Sequence, residues 1–153
     1  MKFSNHRGFT LIELIVTVMV LSILVGVAVP LARNSIKRQK EFALRETLRE
    51  IRTAIDKYKD AYDRGFIMQK IDTEGYPETL QVLVEGVPMV GVVDKKFKVL
   101  RRVPVDPMTN SNEWGQRSYQ DDPKATSWGG QNVFEVYSKS EGTALDGSKY
   151  KDW

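Results

Sequence analysis

One acidic residue near the start of a long apolar segment is the position in this sequence best suited to a special role. Glu13 is the only charged residue between Gly8 and Ala32, within the local sequence GFTLIEL. A charge deep in a membrane costs roughly 3 kcal/mol on insertion scales, so its retention indicates that this carboxylate has a specific role. The preceding segment, Met1 to Gly8, is polar and basic and ends in a glycine that could be a processing point.

Residue types that carry catalysis are scarce in this chain. It has no cysteine, which excludes disulfides, thiol catalysis and thiolate metal sites. The only histidine, His6, lies ahead of Gly8, so a histidine-dependent hydrolase or zinc enzyme is not expected. The neighbouring acids Asp121 and Asp122 leave open a tethered enzyme or binding module, but no nucleophile accompanies them. We therefore expect a protein that is not an enzyme.

The charge of the chain also limits the classes of partner that we expect. The formal net charge is only +3, and no basic stripe of the kind found in nucleic-acid-binding domains is present. The densest basic group follows the apolar segment directly, where it is placed to meet lipid headgroups. Its members are Arg33, Lys37, Arg38 and Lys40.

The polar segment that follows Tyr137 contains several oxygen-bearing side chains and ends in Trp153. If this tryptophan packs back on the domain, the oxygens can converge, and calcium accepts such ligands in flexible geometry. The spacing does not match an EF-hand loop, so a solvated loop with a turn at Asp146-Gly147 is the alternative. The side chains in question are those of Glu141, Asp146, Ser148 and Asp152.

A long helix must carry the N-terminal carboxylate. The apolar segment from Phe9 to Ala32 is long enough for a helix to cross a bilayer at about 1.5 Å per residue. Pro30 predicts a bend, because it removes one backbone donor. Apolar residues then recur at spacings of three and four up to about Asp63, which predicts an amphipathic helix packed on a domain. They are Leu44, Leu48, Ile51, Ile55, Tyr58 and Tyr62.

Glycine and proline interrupt the sequence after this helix. A short second helix is predicted around Glu78 to Glu85, with Gly86 as its end. The segment from Val87 to Asp94 contains a proline and a glycine and predicts a loop. A short extended segment is expected between Lys95 and Val103.

Two strands are predicted in the last third of the chain. Gln116 to Gln120 and Asn132 to Tyr137 are expected to pair as antiparallel strands. By the alternation of a strand, Phe134 and Val136 are expected to face the long helix. The predicted fold class is therefore α+β, with a long N-terminal helix packed on a small C-terminal antiparallel sheet.

These features resemble the type IV pilin superfamily. The motif from Gly8 to Glu13 matches the prepilin motif, Pro30 falls where many pilins carry a helix-bending proline, and a small strand domain follows. The second half looks most like the major pseudopilin of type II secretion. That likeness is carried by Val103 to Pro107, Trp114-Gly115, Asn132 to Ser138 and the polar terminal loop that ends in tryptophan.

The resemblance implies roles for individual residues. A prepilin peptidase would cleave between Gly8 and Phe9, and the new amino group of Phe9 would be methylated. Glu13 would pair with the N-terminal amine of a neighbouring subunit during assembly, whereas the alternative is a side chain that reaches back to the membrane interface. Family members also carry calcium in the terminal loop. The matching ligands here would be the Lys139 main-chain carbonyl, Glu141, Asp146 and Ser148.

The resemblance also implies an organisation and a location. Residues 1–8 would be a cleaved leader, 9–32 a transmembrane and assembly helix, and 33–153 a periplasmic pilin-like domain that includes the amphipathic helix. The chain would cross the bacterial inner membrane once with its N-terminus in the cytoplasm. Charge counting alone favours the opposite orientation, because more basic residues follow the apolar segment than precede it.

The function implied is structural. The subunit would polymerise through its N-terminal helix into a pseudopilus that drives protein export across the outer membrane. Its partners would be further copies of itself, minor pseudopilins, the inner-membrane assembly platform and the prepilin peptidase, with no nucleic acid. The alternative is a type IV pilin, major or minor, of a surface pilus used for adhesion, motility or DNA uptake.

Overall fold

The structure, a computed structural model, describes residues 8–68 and 71–153. The chain divides into two compact units, one ending at Arg38 and one running from Gln39 to Trp153. The predicted leader lies outside the described residues except for Gly8. The fold is α+β, as predicted, with a long helix followed by small antiparallel sheets.

Helix α1 extends from Leu11 to Asp63, close to the predicted end. It continues through position 30, so the proline does not end it, and the bend expected there stays a prediction. The large apolar side chains described between Phe9 and Leu31 are all exposed. By length and composition, α1 is the helix of the described chain that could span a membrane.

The second part of α1 buries the predicted apolar face. The side chains of Leu44, Leu48, Ile51, Ile55 and Tyr58 are at most 3% exposed, because their spacing places them on one side of the helix. Tyr62 is the exception, with 36% of its surface exposed. The face is completed by side chains from the rest of the domain. They include Leu80, Leu83, Trp114, Val133, Val136 and Tyr150.

A short helix and a two-stranded sheet follow. Helix α2 covers Leu80–Glu85 and ends at Gly86, whose φ of 77° permits the turn out of the helix. Strand β1, Val87–Pro88, pairs antiparallel with β2, Lys96–Phe97. The prediction of a loop from Val87 to Asp94 was therefore wrong at its start. A two-residue strand is too short to show alternation, and an edge strand tolerates the proline.

The second sheet pairs β3, Gly115–Arg117, with β4, Glu135–Tyr137, in antiparallel register. Both strands were predicted, and both are shorter than expected. Gly115 lies opposite Tyr137, and a Cβ at this glycine would come within 2.3 Å of the tyrosine ring. This register therefore requires a residue without a side chain at the first position of β3.

The side chains around β4 correct one prediction. Val136 is fully buried as expected, but Phe134 is 42% exposed and its neighbour Val133 is fully buried instead. The ring of Phe134 packs edge-on against Tyr76 and Tyr119, with ring centroids 5.1 and 5.3 Å away. Because β4 begins only at position 135, the alternation of a strand does not extend back to these two residues.

Candidate functional site

The N-terminal motif begins with an exposed apolar segment. Phe9 is 80% exposed, and the first turn of α1 is ordered by Thr10, whose Oγ1 accepts a hydrogen bond from the backbone N–H of Glu13 at 3.3 Å. Glu13 lies in this first turn, where a negative charge interacts favourably with the helix dipole. The residues that precede Gly8 lie outside the described chain, so the cleavage between Gly8 and Phe9 stays a prediction.

The apolar segment offers Glu13 no cation of its own. In the sequence, the nearest basic residues are Arg7 on one side and Arg33 on the other. A positive partner at the depth of Glu13 must therefore come from outside the apolar segment. The pairing expected for Glu13 stays a prediction.

The terminal loop is a tight reverse turn. Thr143 and Lys149 form a bridge across its base, and Asp146 stands at the turn with both the backbone N–H and the hydroxyl of Ser148 donating to its Oδ1, at 2.9 and 2.6 Å. These bonds, the hydroxyl first, lower the pKa of the Asp146 carboxyl below its ordinary value. Gly147 takes a φ of 88°, as the predicted Asp146-Gly147 turn requires.

Arg45 of α1 contacts this loop in two ways. Its Nη2 lies 3.3 Å from Oδ2 of Asp146, and its Cζ lies 4.1 Å from the centroid of the Trp153 ring. The indole N–H of Trp153 in turn donates to Oγ of Ser148 at 2.6 Å. The guanidinium, the carboxylate, the hydroxyl and the indole therefore form one closed set of contacts.

A buried carboxylate on α1 forms a second attachment. Glu41 is only 7% exposed, and its Oε1 accepts from the backbone N–H of Leu145 at 2.8 Å and from the hydroxyl of Tyr150 at 3.0 Å. Burial, followed by this carboxylate, raises the pKa of Tyr150 to about 12. Sequence reasoning did not single out Glu41 as a buried residue. Its spacing of three residues from Leu44 is the signal that would have placed it on the buried face.

Arg52 forms a third attachment. Its Nε donates to Oε1 of Glu135 at 2.7 Å, and its Nη2 donates to the backbone oxygens of Val136 at 3.3 Å and Trp153 at 2.8 Å. One guanidinium therefore joins α1 to strand β4 and to the last residue of the chain. Sequence reasoning did not single out this arginine, because its partners lie more than eighty positions away.

The residues predicted as calcium ligands do not assemble a cation cage. Lys139 and Glu141 are exposed, and both carboxylate oxygens of Asp146 are already engaged, one by Ser148 and one by Arg45. Across residues 8–68 and 71–153, no group of three or more histidine, cysteine or acidic side chains could hold a metal ion. Calcium takes six to eight oxygen ligands, so this arrangement does not fit it. Calcium binding stays a prediction from the resemblance.

Known proteins match this chain both at its N-terminal motif and over a much longer stretch of sequence. Residues 3–29 match the model of the prokaryotic N-terminal methylation motif. Over 112 residues the chain is 31% identical to the type II secretion system core protein G of Escherichia coli (strain K12). The aligned region covers 69% of each sequence. No solved structure matches the chain significantly.

Proposed function

The chain belongs to the family of type II secretion core protein G, the major pseudopilins of the type IV pilin superfamily, and from this premise we propose that it is the structural subunit of a pseudopilus. The observation that carries the proposal is the similarity to core protein G over 69% of the chain, which reaches well beyond the N-terminal motif. The apolar first part of α1 supports it, since this segment fits a single-pass membrane anchor.

Maturation is the first step of the proposed pathway. A prepilin peptidase cleaves between Gly8 and Phe9, and the new amino group of Phe9 is methylated. The match to the N-terminal methylation motif supports this step. Because the cut precedes the apolar segment, cleavage leaves the anchor in the mature protein, with residues 33–153 in the periplasm and the N-terminus on the cytoplasmic side of the inner membrane.

Assembly is the second step. The amino group created at Phe9 places a positive charge at the start of the anchor, where the apolar segment itself has none. Pairing of this amine with Glu13 of a neighbouring copy neutralises a carboxylate that is otherwise costly in lipid. Each incoming subunit is thereby aligned on the previous one, and polymerisation follows from packing of the N-terminal helices.

Export is the proposed outcome. Growth of the filament pushes folded proteins through an outer-membrane channel, with minor pseudopilins and the inner-membrane assembly platform as further partners. The subunit itself performs no reaction in this proposal. Its sequence has no phosphate-binding loop, so a separate ATPase supplies the energy.

The second candidate function is that of a type IV pilin in a surface fibre, which the N-terminal motif fits equally well. The two functions differ in phenotype. Deletion of a pseudopilin blocks protein secretion, whereas deletion of a surface pilin leaves secretion intact and removes long fibres from the cell surface.

The proposal is tested by intact mass and by assembly. Protein from the native membrane should begin at Phe9 and carry one added methyl group, and it should begin at Met1 in cells that lack the prepilin peptidase. An unprocessed chain in both strains would contradict the maturation step.

A matched pair of variants tests the assembly step. Glu13→Leu should be inserted and processed normally but should form filaments at least about tenfold less efficiently, because one lost charge pair in a low-dielectric layer is worth more than 1.4 kcal/mol. Thr17→Leu is the control, since the hydroxyl of Thr17 only bonds the Leu14 carbonyl one turn earlier. Normal filaments from Glu13→Leu would refute the pairing.

A further inference from the structure

We infer that the terminal loop, residues 142–153, is fastened to α1 by the Arg45 guanidinium and its neighbours rather than by a bound metal ion, so that its fold does not depend on calcium. The inference concerns how one loop is held and does not rest on the proposed assembly function. The charged and hydrogen-bonding groups of this loop already have partners within the loop and on α1.

The first step is the charge of Asp146. A metal ion that held the loop would need the Asp146 carboxylate as a ligand. In this structure the cation that faces the carboxylate is Arg45, with Nη2 3.3 Å from Oδ2. The pair is more than half exposed, so its direct attraction is modest. The Cζ of the same guanidinium also lies 4.1 Å from the centroid of the Trp153 ring, and this cation–π contact adds to the attachment.

The second step is the hydroxyl of Ser148. It donates to Oδ1 of Asp146 and accepts from the indole N–H of Trp153, both at 2.6 Å. The hydroxyl therefore has one lone pair left, while Oδ1 of Asp146 already accepts two hydrogen bonds and Oδ2 faces Arg45. Most of the polar groups that a calcium site would use are already satisfied within the loop and by α1.

The third step is that two further side chains of α1 close the loop. Glu41 holds the backbone at Leu145 and the hydroxyl of Tyr150, and Arg52 holds the backbone oxygen of Trp153. Positions 41, 45 and 52 are spaced by four and seven residues, so they lie on one side of the helix. The loop is thus held along its length by three side chains of a single element.

The experiment is thermal unfolding of the full chain in detergent, followed by circular dichroism in excess EGTA and in millimolar calcium. The wild type should melt at the same temperature in both buffers, within about 1 °C. Arg45→Gln should lower the melting temperature by about 3 °C in both. The melting temperature of Arg45→Lys should lie between those of the wild type and Arg45→Gln, because lysine keeps the charge but lacks the guanidinium group. Arg49→Gln, an exposed arginine on the same helix, is the matched control and should melt like the wild type.

A local readout separates the loop from the rest of the domain. The backbone N–H of Ala144 bonds the Ser148 carbonyl at 2.7 Å and that of Leu145 bonds Glu41, so both amides should be protected from hydrogen exchange in EGTA. In Arg45→Gln these two amides should exchange at least several-fold faster, while amides in the buried part of α1 should not change.

Two results would overturn the inference. One is calcium raising the melting temperature of the wild type by several degrees, with saturable binding that Glu141→Gln and Asp146→Asn abolish. The other is Arg45→Gln melting and exchanging like the wild type. Both are read from the isolated chain without any filament, so they leave the pseudopilus proposal to its own test.

Discussion

At the scale of single residues, the carboxylate of Glu41 shows how one buried acid can organise a distant loop. It lies on α1 at the edge of the apolar face, and its Oε1 receives two hydrogen bonds from residues more than a hundred positions later. A carboxylate is tolerated at this depth because both donors are directed at the same oxygen.

We expect Glu41→Ala to lower the free energy of unfolding by about 1 to 3 kcal/mol, because it leaves a partly buried amide and a buried tyrosine hydroxyl without their acceptor. Urea denaturation followed by tryptophan fluorescence measures the change. Glu46→Ala removes an exposed acid from the same helix and should change stability by less than about 0.5 kcal/mol. Equal effects of the two substitutions would show that Glu41 contributes only through its charge.

A second residue-scale prediction concerns Asp121, which the sequence left open as a catalytic acid. Its Oδ2 accepts from the backbone N–H groups of Gly129 at 3.0 Å and Ser118 at 2.7 Å, so it braces a loop. These bonds, that of Gly129 first, lower the pKa of Asp121 below its ordinary 3.8. The sign follows from linkage: the stabilisation is present above the unfolded pKa and is lost as the pH falls through the lower folded value.

The pH dependence is measured by following the Gly129 amide in an NMR titration from neutral to strongly acidic pH. The amide signal should shift with a midpoint below 3.8 in the wild type, because only the ionised carboxylate accepts both bonds fully. Asp121→Asn should remove this acid transition, and Asp122→Asn, at the exposed neighbour, should preserve it. A midpoint at or above the ordinary value would contradict the bracing role.

At the scale of secondary-structure elements, the amphipathic part of α1 supplies a larger share of the described core than any other element. Leu48 is 1% exposed on its inner face, and Phe42 is 71% exposed on another. We expect Leu48→Ala to cost about 2 to 5 kcal/mol through lost burial and a residual cavity, and Phe42→Ala to cost less than about 0.5 kcal/mol. Chemical denaturation of both variants checks this. A larger loss of unfolding free energy in Phe42→Ala would mean that this ring packs against another surface in solution.

The elements also show what could be predicted from the sequence. The long helix was predictable because its apolar residues repeat over many turns, and the interruption at Gly86 marked the end of α2 correctly. Strands of two or three residues have no room for a period, which is why β1 was missed and Phe134 was assigned to the core in place of Val133. Local patterns reveal an element only when it is longer than its own repeat.

The same limit applies to the two candidate sites. The motif around Gly8, Phe9 and Glu13 is contiguous, so the sequence alone indicated its importance. The attachments of the terminal loop are not contiguous: Glu41, Arg45 and Arg52 meet loop partners that lie 101 to 109 positions away. No spacing rule connects such residues, so these partners emerged only from the folded chain.

At the scale of the whole molecule, the division of the chain into two units makes a prediction about independence. Among the residues whose burial the structure describes, the buried apolar ones lie between Leu44 and Tyr150, within the unit that begins at Gln39. Residues 33–153 should therefore fold without the apolar anchor. The truncated chain should be soluble, and its free energy of unfolding should match that of the full chain in detergent within about 1 kcal/mol.

A shorter truncation provides the matched control, because a chain of residues 46–153 also lacks Glu41, Leu44 and Arg45. It loses one fully buried leucine and two attachments of the terminal loop, and we expect it to be less stable than residues 33–153 by at least about 3 kcal/mol. Urea unfolding and hydrogen exchange at Leu145 compare the two. If residues 33–153 failed to fold while the full chain in detergent did, the apolar segment would be part of the folding unit, and the anchor and the domain could not be treated as separate.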